Sequence, residues 1–395
     1  MNIIASDRLA GLGGYAFAEV DQLVRNLKAR GIVPVDFGVG DPIEPVPGFV
    51  REALKQAADL HACSGYPSYV GSEAYRQAVA KWMQKRFGVD LDPATEIAST
   101  VGSKEAIFHF PEAILNPGDV VIVPSPGYPP MKNGTVFSEG VPYFVPIREQ
   151  NGFLVDFKSI PEDIARRAKI LWINYPNSPT GAVATLDWYR ELVDWAQAHD
   201  IIIAADEGCY IDLYYHEPPH SILEVARDGI ITFYSLSKRN NMTGYRVGFV
   251  AGDSRLVSLF KKLKTNIDSG TPDFVQAAAM TALADDDHVA SLRGGYAKKK
   301  EVLLGALRDI GLPPADPKAT FYVWQKVPEG MTSLEFATRL LADDIALVVT
   351  PGSWISEACP DGTNPGEGYV RFALVPTLEQ VEEAAGRLRK GNWRM

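Results

Sequence analysis

The chain predicts an α/β fold: a large domain with a mainly parallel central sheet covered by helices, and a smaller α+β domain beside it. Two observations predict it. From about residue 49, short runs rich in β-branched residues alternate with amphipathic helical stretches, the pattern of repeated strand–helix units. Several of those runs, DVVIVP, AKILWINYP and DIIIAADE among them, are apolar along most of their length, as strands must be when helices cover both faces of a sheet.

Residues 1–46 read as an arm, a short helix over AEVDQLVRNLKARG and an extended piece, VPVDFGVGDP. Two helices follow, VREALKQAA and SEAYRQAVAKWMQKRFG, with apolar residues three and four apart. The expected strands are then EIAST, DVVIVP, VPYFVPI, AKILWINYP, DIIIAADE, GIITFYS and RVGFVAG. Helices over SKEAIFHFPEAIL, LDWYRELVDWAQAHD and SRLVSLFKKLK separate or follow them. Beyond about residue 280 the texture shifts. A long charged helix, DDHVASLRGGYAKKKEVLLGALRDIG, leads to FYVWQKV, the helix SLEFATRLLADD, the strands ALVVTP and YVRFALV, and a final helix, LEQVEEAAGRLRKG. We therefore expect an arm and part of the small domain over residues 1–46, the large domain over 47–284, and the rest of the small domain over 285–395.

Composition narrows the function. Seventeen Phe, 16 Tyr and 7 Trp exclude a disordered chain. Forty-nine acidic residues against 39 Lys and Arg give a net charge of -10, so a basic face for duplex nucleic acid is not expected. Cys63, Cys209 and Cys359 are odd in number and far apart, which suits neither a disulfide framework nor a zinc knuckle. The apolar runs fall short of the roughly 20 residues that cross a bilayer, and MNIIASDRLAGLGG lacks the basic-then-apolar order of a signal peptide. The expectation is a cytoplasmic protein acting on small molecules, with no metal, nucleic acid or membrane.

The chemistry concentrates in FYSLSKRNNMTGYRVGFVAG, residues 233–252. Lys238 stands just beyond a strand among Ser235, Ser237 and Arg246. An amine so placed is a candidate nucleophile toward a phosphorylated aldehyde, with the hydroxyls and the arginine as anion contacts. A plain surface lysine at a strand end is the alternative. Asp206 closes the apolar strand IIIAAD, where ligands lie in doubly wound sheets, and an acid there can pair with a protonated ring nitrogen. A turn or helix-capping aspartate reads the same way. Gly102, Ser103 and Lys104 follow a strand and open a helix, whose free N–H groups make a phosphate cradle or simply a Ser-capped start.

The order of glycine-bearing helix start, aromatic after proline (PGYP), PNSPTG, strand-end aspartate, and SLSK with an arginine eight residues on resembles the pyridoxal-phosphate enzymes of fold type I. Within them it is most similar to the class I and II aminotransferases, over essentially the whole chain. The segments GVGDP, YPSYVG, GSKEAI, NPGDVVIVPSPGYP, NMTGYRVGF and EGYVRFAL, with Tyr15 and its neighbours, look most like the diaminopimelate aminotransferases, which use the free LL compound or its N-succinyl derivative. The resemblance implies ping-pong transfer of an amino group between an amino acid and 2-oxoglutarate or glutamate. LL-diaminopimelate is the first expected donor, with the succinylated compound or ordinary glutamate and aspartate as alternatives.

The resemblance also implies pyridoxal 5'-phosphate and a set of roles. Lys238 would join the cofactor aldehyde as a Schiff base and shuttle the α-proton. Asp206 would bind the pyridine nitrogen. Gly102, Ser103, Lys104, Ser235 and Arg246 would hold the phosphate, and Tyr128 would stack on the ring. Tyr66 would reach the phosphate of a partner subunit, implying a homodimer. Arg371 would take the substrate α-carboxylate as a two-pronged pair, and Val39 and Gly40 would line the substrate entrance. Tyr15, Tyr66, Glu73, Lys104 and Asn266 are polar candidates for the substrate's far end.

Two positions depart from the family pattern. Asparagine usually precedes Pro-Thr-Gly, whereas here Ser178 does, with Asn177 before it. A tyrosine usually lies three residues past the aspartate, whereas here that offset holds Cys209, and Tyr210 comes one later. Both positions serve the cofactor's phenolic oxygen. A one-residue bulge would return Tyr210 to the site with Asn177 reaching in; the alternative is weaker tuning of the cofactor. For Cys209 the sequence suggests a small buried residue and no thiol catalysis.

Overall fold

The structure is a computed structural model and describes residue 1, residues 3–12 and residues 18–393. Tyr15 lies outside the described residues. In chain order the strands are β1 (Val35–Asp36), β2 (Ile97–Thr100), β3 (Val120–Ser125), β4 (Val141–Pro146), β5 (Ala168–Ile173), β6 (Ile202–Gly208), β7 (Ile230–Ser235), β8 (Gly248–Gly252), β9 (Tyr322–Lys326), β10 (Leu347–Val348), β11 (Thr350–Pro351) and β12 (Tyr369–Ala373).

Seven of them make one sheet in the order β2-β8-β7-β6-β5-β3-β4. All its pairings are parallel except those of β8, which runs antiparallel to β2 and β7. Residues 236–247 return the chain beside β7 without crossing the sheet, so β8 points the other way. Every residue of β3, β7 and β8 is buried, which is why those segments read as unbroken apolar runs. Successive side chains serve opposite cores. Val120 and Ile122 join the cluster that holds Trp82 and Tyr189, whereas Val121 and Val123 join Phe110 and Trp172 on the other face.

Helix ends follow local chemistry. Ser72 Oγ accepts the Tyr75 N–H at 3.2 Å to open the helix Glu73–Phe87, and Gly88 closes it at φ 69. A three-stranded antiparallel sheet, β11-β12-β9, forms apart from the large one, and β1 pairs parallel with β10 through Val35 and Leu347. Val35 and Phe37 therefore share a core with Tyr322, Phe336, Phe372 and Leu388, which brings the first segment together with the last. Among the described residues no helix is long and apolar enough to cross a membrane.

One irregularity bears on the site. Asp206 sits opposite Phe233 but Gly208 sits opposite Tyr234, so Glu207 is an extra residue in β6. Gly208 permits this bulge, since a Cβ there would lie 2.5 Å from Tyr234 Cβ.

Candidate active site

Gly102 follows β2, Tyr128 follows β3, Asn174 follows β5, Asp206 lies near the end of β6 and Ser235 ends β7. These strands are mutually parallel in direction, so their carboxyl ends bring all five residues to one rim, where ligands of open α/β sheets lie.

At one side of the rim is a cup of donors. Gly102, at φ 71, precedes the helix Ser103–His109, and a Cβ on it would fall 2.9 Å from Arg246 Cζ. The guanidinium thus rests on bare backbone. Arg246 Nη1 donates to the Thr243 carbonyl at 2.7 Å and reaches Ser237 Oγ at 3.5 Å, and Nη2 reaches the Val101 carbonyl at 3.4 Å. Ser235 Oγ donates to Ser237 Oγ at 2.8 Å. A glycine-lined helix start, hydroxyls and an arginine suit a phosphate dianion. Lys104 is exposed at the same helix start.

Across the rim is an open acceptor. Asp206 is 4% exposed, and Asn174 Nδ2 donates to its carbonyl at 2.6 Å and to Oδ2 at 3.4 Å. Asp206 Oδ1 is buried with no hydrogen-bond partner among the described residues. Burial, and then the neighbouring Glu207 carboxylate, push Asp206 up to about 7. Leaving such an acceptor unmatched costs about 1–3 kcal/mol, and a cationic ring N–H is the donor that would satisfy it best. Tyr128, raised by burial, lies within electrostatic reach of Asp206, Cys209, Tyr322 and Arg246. These residues fit pyridoxal phosphate, which carries a dianion at one end and a protonatable ring nitrogen at the other.

After the bulge, Cys209 faces the rim, with Sγ 3.3 Å from Ser103 Oγ. Burial pushes its thiol up to about 12, so it stays protonated at neutral pH. The Tyr210 hydroxyl instead meets Tyr322 Oη at 3.1 Å, and its ring packs against Phe321 and Tyr322. Asn177 is buried, and its Oδ1 accepts both the N–H and the hydroxyl of Thr180, at 3.1 and 2.7 Å. The Ser178 N–H donates to Asn174 Oδ1 at 2.8 Å.

Two cations are joined through one extended segment. Lys238, on the short helix Leu236–Arg239 after β7, donates from Nζ to the Gly40 carbonyl at 2.5 Å and lies 5.7 Å from the centre of the Phe321 ring. Two residues earlier, the Gly38 carbonyl accepts from Arg371 Nη2 at 2.9 Å. Arg371 lies on β12, the middle strand of its sheet, opposite Trp324 and Thr350. Its guanidinium is 4.4 Å from the centre of the Tyr322 ring, and its Nε is buried with no partner among the described residues. An arginine so held offers spare N–H groups to a carboxylate. Val39, between the two glycines, is exposed.

Gly40 has no room for a side chain: a Cβ would lie 2.8 Å from Tyr322 Cζ. Gly40→Ala is therefore expected to shift either Tyr322 or the carbonyl that holds Lys238. Steady-state kinetics should show a fall in kcat/KM of about 100-fold, with a melting temperature lowered by only a few degrees. Unchanged kinetics would mean that this contact does not set the position of Lys238.

Three other expected residues are not tied to this cluster within one chain. Tyr66 is 87% exposed. Glu73 is exposed and accepts from Gln77 at 2.9 Å, and Asn266 turns its Nδ2 back to the Lys262 carbonyl at 3.1 Å. Two residues of the site escaped the sequence reading. Asn174 had a usable signal, a polar residue at the end of an apolar strand, the same one that marks Asp206. Tyr322 had none, because FYVW reads as core.

The family model for class I and II aminotransferases matches residues 33–388. A protein of Aquifex aeolicus named LL-diaminopimelate aminotransferase is 47% identical over 388 residues, which are 97% of this chain and 98% of that one. A protein of the same name from Nitratidesulfovibrio vulgaris is 47% identical over 390 residues, 98% of each chain. Among solved structures, apo BacF from Bacillus subtilis superposes with a TM-score of 0.90 at 32% identity, covering 99% of this chain and 98% of that one. A lysine and an orphaned aspartate at strand ends, with a stacked arginine joined to the lysine through the segment Gly38–Gly40, agree with that kinship, and the chain belongs to the class I and II aminotransferases, which depend on pyridoxal phosphate.

Proposed function

We propose that this aminotransferase takes its amino group from LL-diaminopimelate and passes it to 2-oxoglutarate. The observation that carries the choice of donor is the 47% identity, over nearly the full length of both chains, to proteins named for that activity.

Bound pyridoxal phosphate supplies an electron sink for the charge left when the α-proton departs. The residues of the chain do the rest. Gly102, Ser103, Ser235 and Arg246 hold the phosphate, Asp206 Oδ1 takes the ring nitrogen, and Tyr128 packs on the ring. Lys238 Nζ, released from the Gly40 carbonyl, accepts the α-proton and returns it. Arg371 fixes the α-carboxylate while stacked on Tyr322, and Phe321 helps keep water from the amine. The exposure of Tyr66 supports a homodimer in which it completes the phosphate site of a second copy. Lys104, Glu73 and Asn266, all exposed, are the residues we assign to the donor's far amine and carboxylate. Three cysteines without a disulfide accord with a cytoplasmic enzyme.

A single-turnover donor panel on the cofactor-loaded protein tests this reading, following the absorbance of the bound cofactor. LL-diaminopimelate is expected to react at least ~100-fold faster than its N-succinyl derivative, because a site built for a polar end group rejects one that leaves its partners unpaired. Faster reaction of the succinylated compound would reassign the donor. Reaction with glutamate and aspartate alone would remove diaminopimelate from the function.

A further inference from the structure

Lys264 ends the helix Ser254–Lys264 and is 0% exposed, yet nothing in the chemistry above uses it. Its Nζ lies 2.6 Å from Asp268 Oδ2 and 3.4 Å from Glu105 Oε2. An ammonium buried this fully costs several kcal/mol unless its partners are well placed. What those partners hold in turn suggests what the triad is for.

Glu105 leads to the cofactor cup. It stands third in the helix Ser103–His109, and its Oε2 accepts the Val101 N–H at 3.1 Å. Glu105 thereby braces the turn that presents Gly102 to Arg246. Burial raises Glu105, and the Lys264 ammonium opposes that rise.

Asp268 leads the other way. Its Oδ1 accepts the Gly270 N–H at 2.7 Å. Gly270, at φ 88, lies flat on the next loop, so that a Cβ would come 3.1 Å from the Ser68 carbonyl carbon. Thr271 Oγ1 donates to the Thr100 carbonyl at 3.0 Å. Gln276 bridges the Thr271 carbonyl at 2.7 Å and the Ser72 N–H at 2.8 Å, and the Ser99 N–H donates to the Val70 carbonyl at 2.9 Å. The loop 68–72 is therefore clamped between the end of β2 and the segment 268–276, and Tyr66 lies two residues before it.

We propose that Lys264 is a positioning residue for the cofactor phosphate: through Glu105 it sets the cup around Gly102, and through Asp268 it sets the loop that carries Tyr66. The inference rests on the roles proposed above for the cup and for Tyr66. One buried ammonium then fixes both the half of the phosphate site that a chain keeps and the half it lends to a second copy. Cofactor binding and subunit pairing are linked through it, each strengthening the other by the same factor.

The test uses the full-length protein freed of cofactor, titrated with pyridoxal phosphate and separately with pyridoxal, which lacks the phosphate, with protein fluorescence as the readout. In Lys264→Met the affinity for pyridoxal phosphate should fall at least about 10-fold, while that for pyridoxal changes by less than about twofold. Asp268→Asn keeps the ammonium and is measured beside it in case the first variant does not fold; it should show the same phosphate-selective loss at about threefold. Sedimentation should show the cofactor-free Lys264→Met dimer dissociating at higher protein concentration than wild type. Equal losses for pyridoxal and pyridoxal phosphate would mean general damage and would overturn the proposal, as would an unchanged preference for the phosphate in both variants. No substrate enters these titrations, so a failed donor panel and a failed Lys264 assignment are told apart.

Discussion

Lys238→Ala is expected to lower kcat by about four orders of magnitude while the protein folds as before and keeps its cofactor through the phosphate cup and Asp206, without the covalent link. The structure explains why the two effects separate. The side chain ends in the gap between the large sheet and the segment Gly38–Gly40, and the hydrogen bond it makes is to the Gly40 carbonyl. Truncation removes that charge-assisted bond, worth about 1.5–3 kcal/mol, and no member of the apolar cores. Ser235, Ser237 and Arg246 keep their mutual contacts, so the phosphate cup stays in place. What disappears is the amine that moves the α-proton. Lys238→Arg sharpens the test, since it retains a cation near Gly40 but cannot act as a base at neutral pH. It should be as inactive as the alanine variant. Steady-state rates with saturating donor, thermal melts and cofactor content measure all three quantities. Activity within about tenfold of wild type in either variant would remove Lys238 from the proton-transfer step.

The sequence made some of this site legible because its residues occupy positions with a physical meaning. Lys238 and Asp206 each stand at the end of an apolar strand, and the ends of parallel strands in a covered sheet are where ligands bind. Arg371 was legible only through family resemblance. Alone, an arginine in an alternating strand reads as an edge residue, whereas β12 is the middle strand and its arginine is held by Tyr322 and Gly38. The sheet order was beyond reach, because β2 meets β8 through pairs such as Ile97 and Ala251, far apart in sequence, and nothing local encodes that neighbour. The bulge was legible as an offset between Asp206 and Tyr210. The directions of the side chains beyond it were not, since they depend on Gly208 seating on Tyr234 and on Tyr210 meeting Tyr322. Asn177 shows a local pattern of another kind. In PNSPTG its Oδ1 accepts from Thr180, three residues on, a short-range bond that orients the amide while engaging only its oxygen.

Asp206→Asn is expected to cost about 1,000-fold in kcat/KM and to change how the cofactor-free protein responds to pH. The amide fills the same volume and can still face Asn174, so the fold survives, but it cannot hold a ring nitrogen in its protonated form. The pH effect follows from the shift. In the unfolded chain an aspartate titrates near its ordinary value of about 3.9, whereas in the fold burial and Glu207 push Asp206 up to about 7. Between those values the folded protein keeps a proton that the unfolded chain has lost, so stability falls as pH rises through that window. Glu207, also raised to about 7 by burial although it accepts from the Ile222 N–H and the Tyr234 hydroxyl, pulls the same way. The cofactor-free wild type should therefore lose a few kcal/mol between about pH 4 and 7. Asp206→Asn should lose clearly less, because only Glu207 remains and its charged neighbour is gone. Loading the cofactor reverses the Asp206 contribution, since a cationic N–H beside Oδ1 favours the carboxylate. The stability gained on loading should grow from about pH 5 to 8 in wild type and grow less in the variant. Urea unfolding of both proteins, with and without cofactor, reads these slopes. Parallel slopes would show that the orphaned oxygen of Asp206 is not where the ring nitrogen binds.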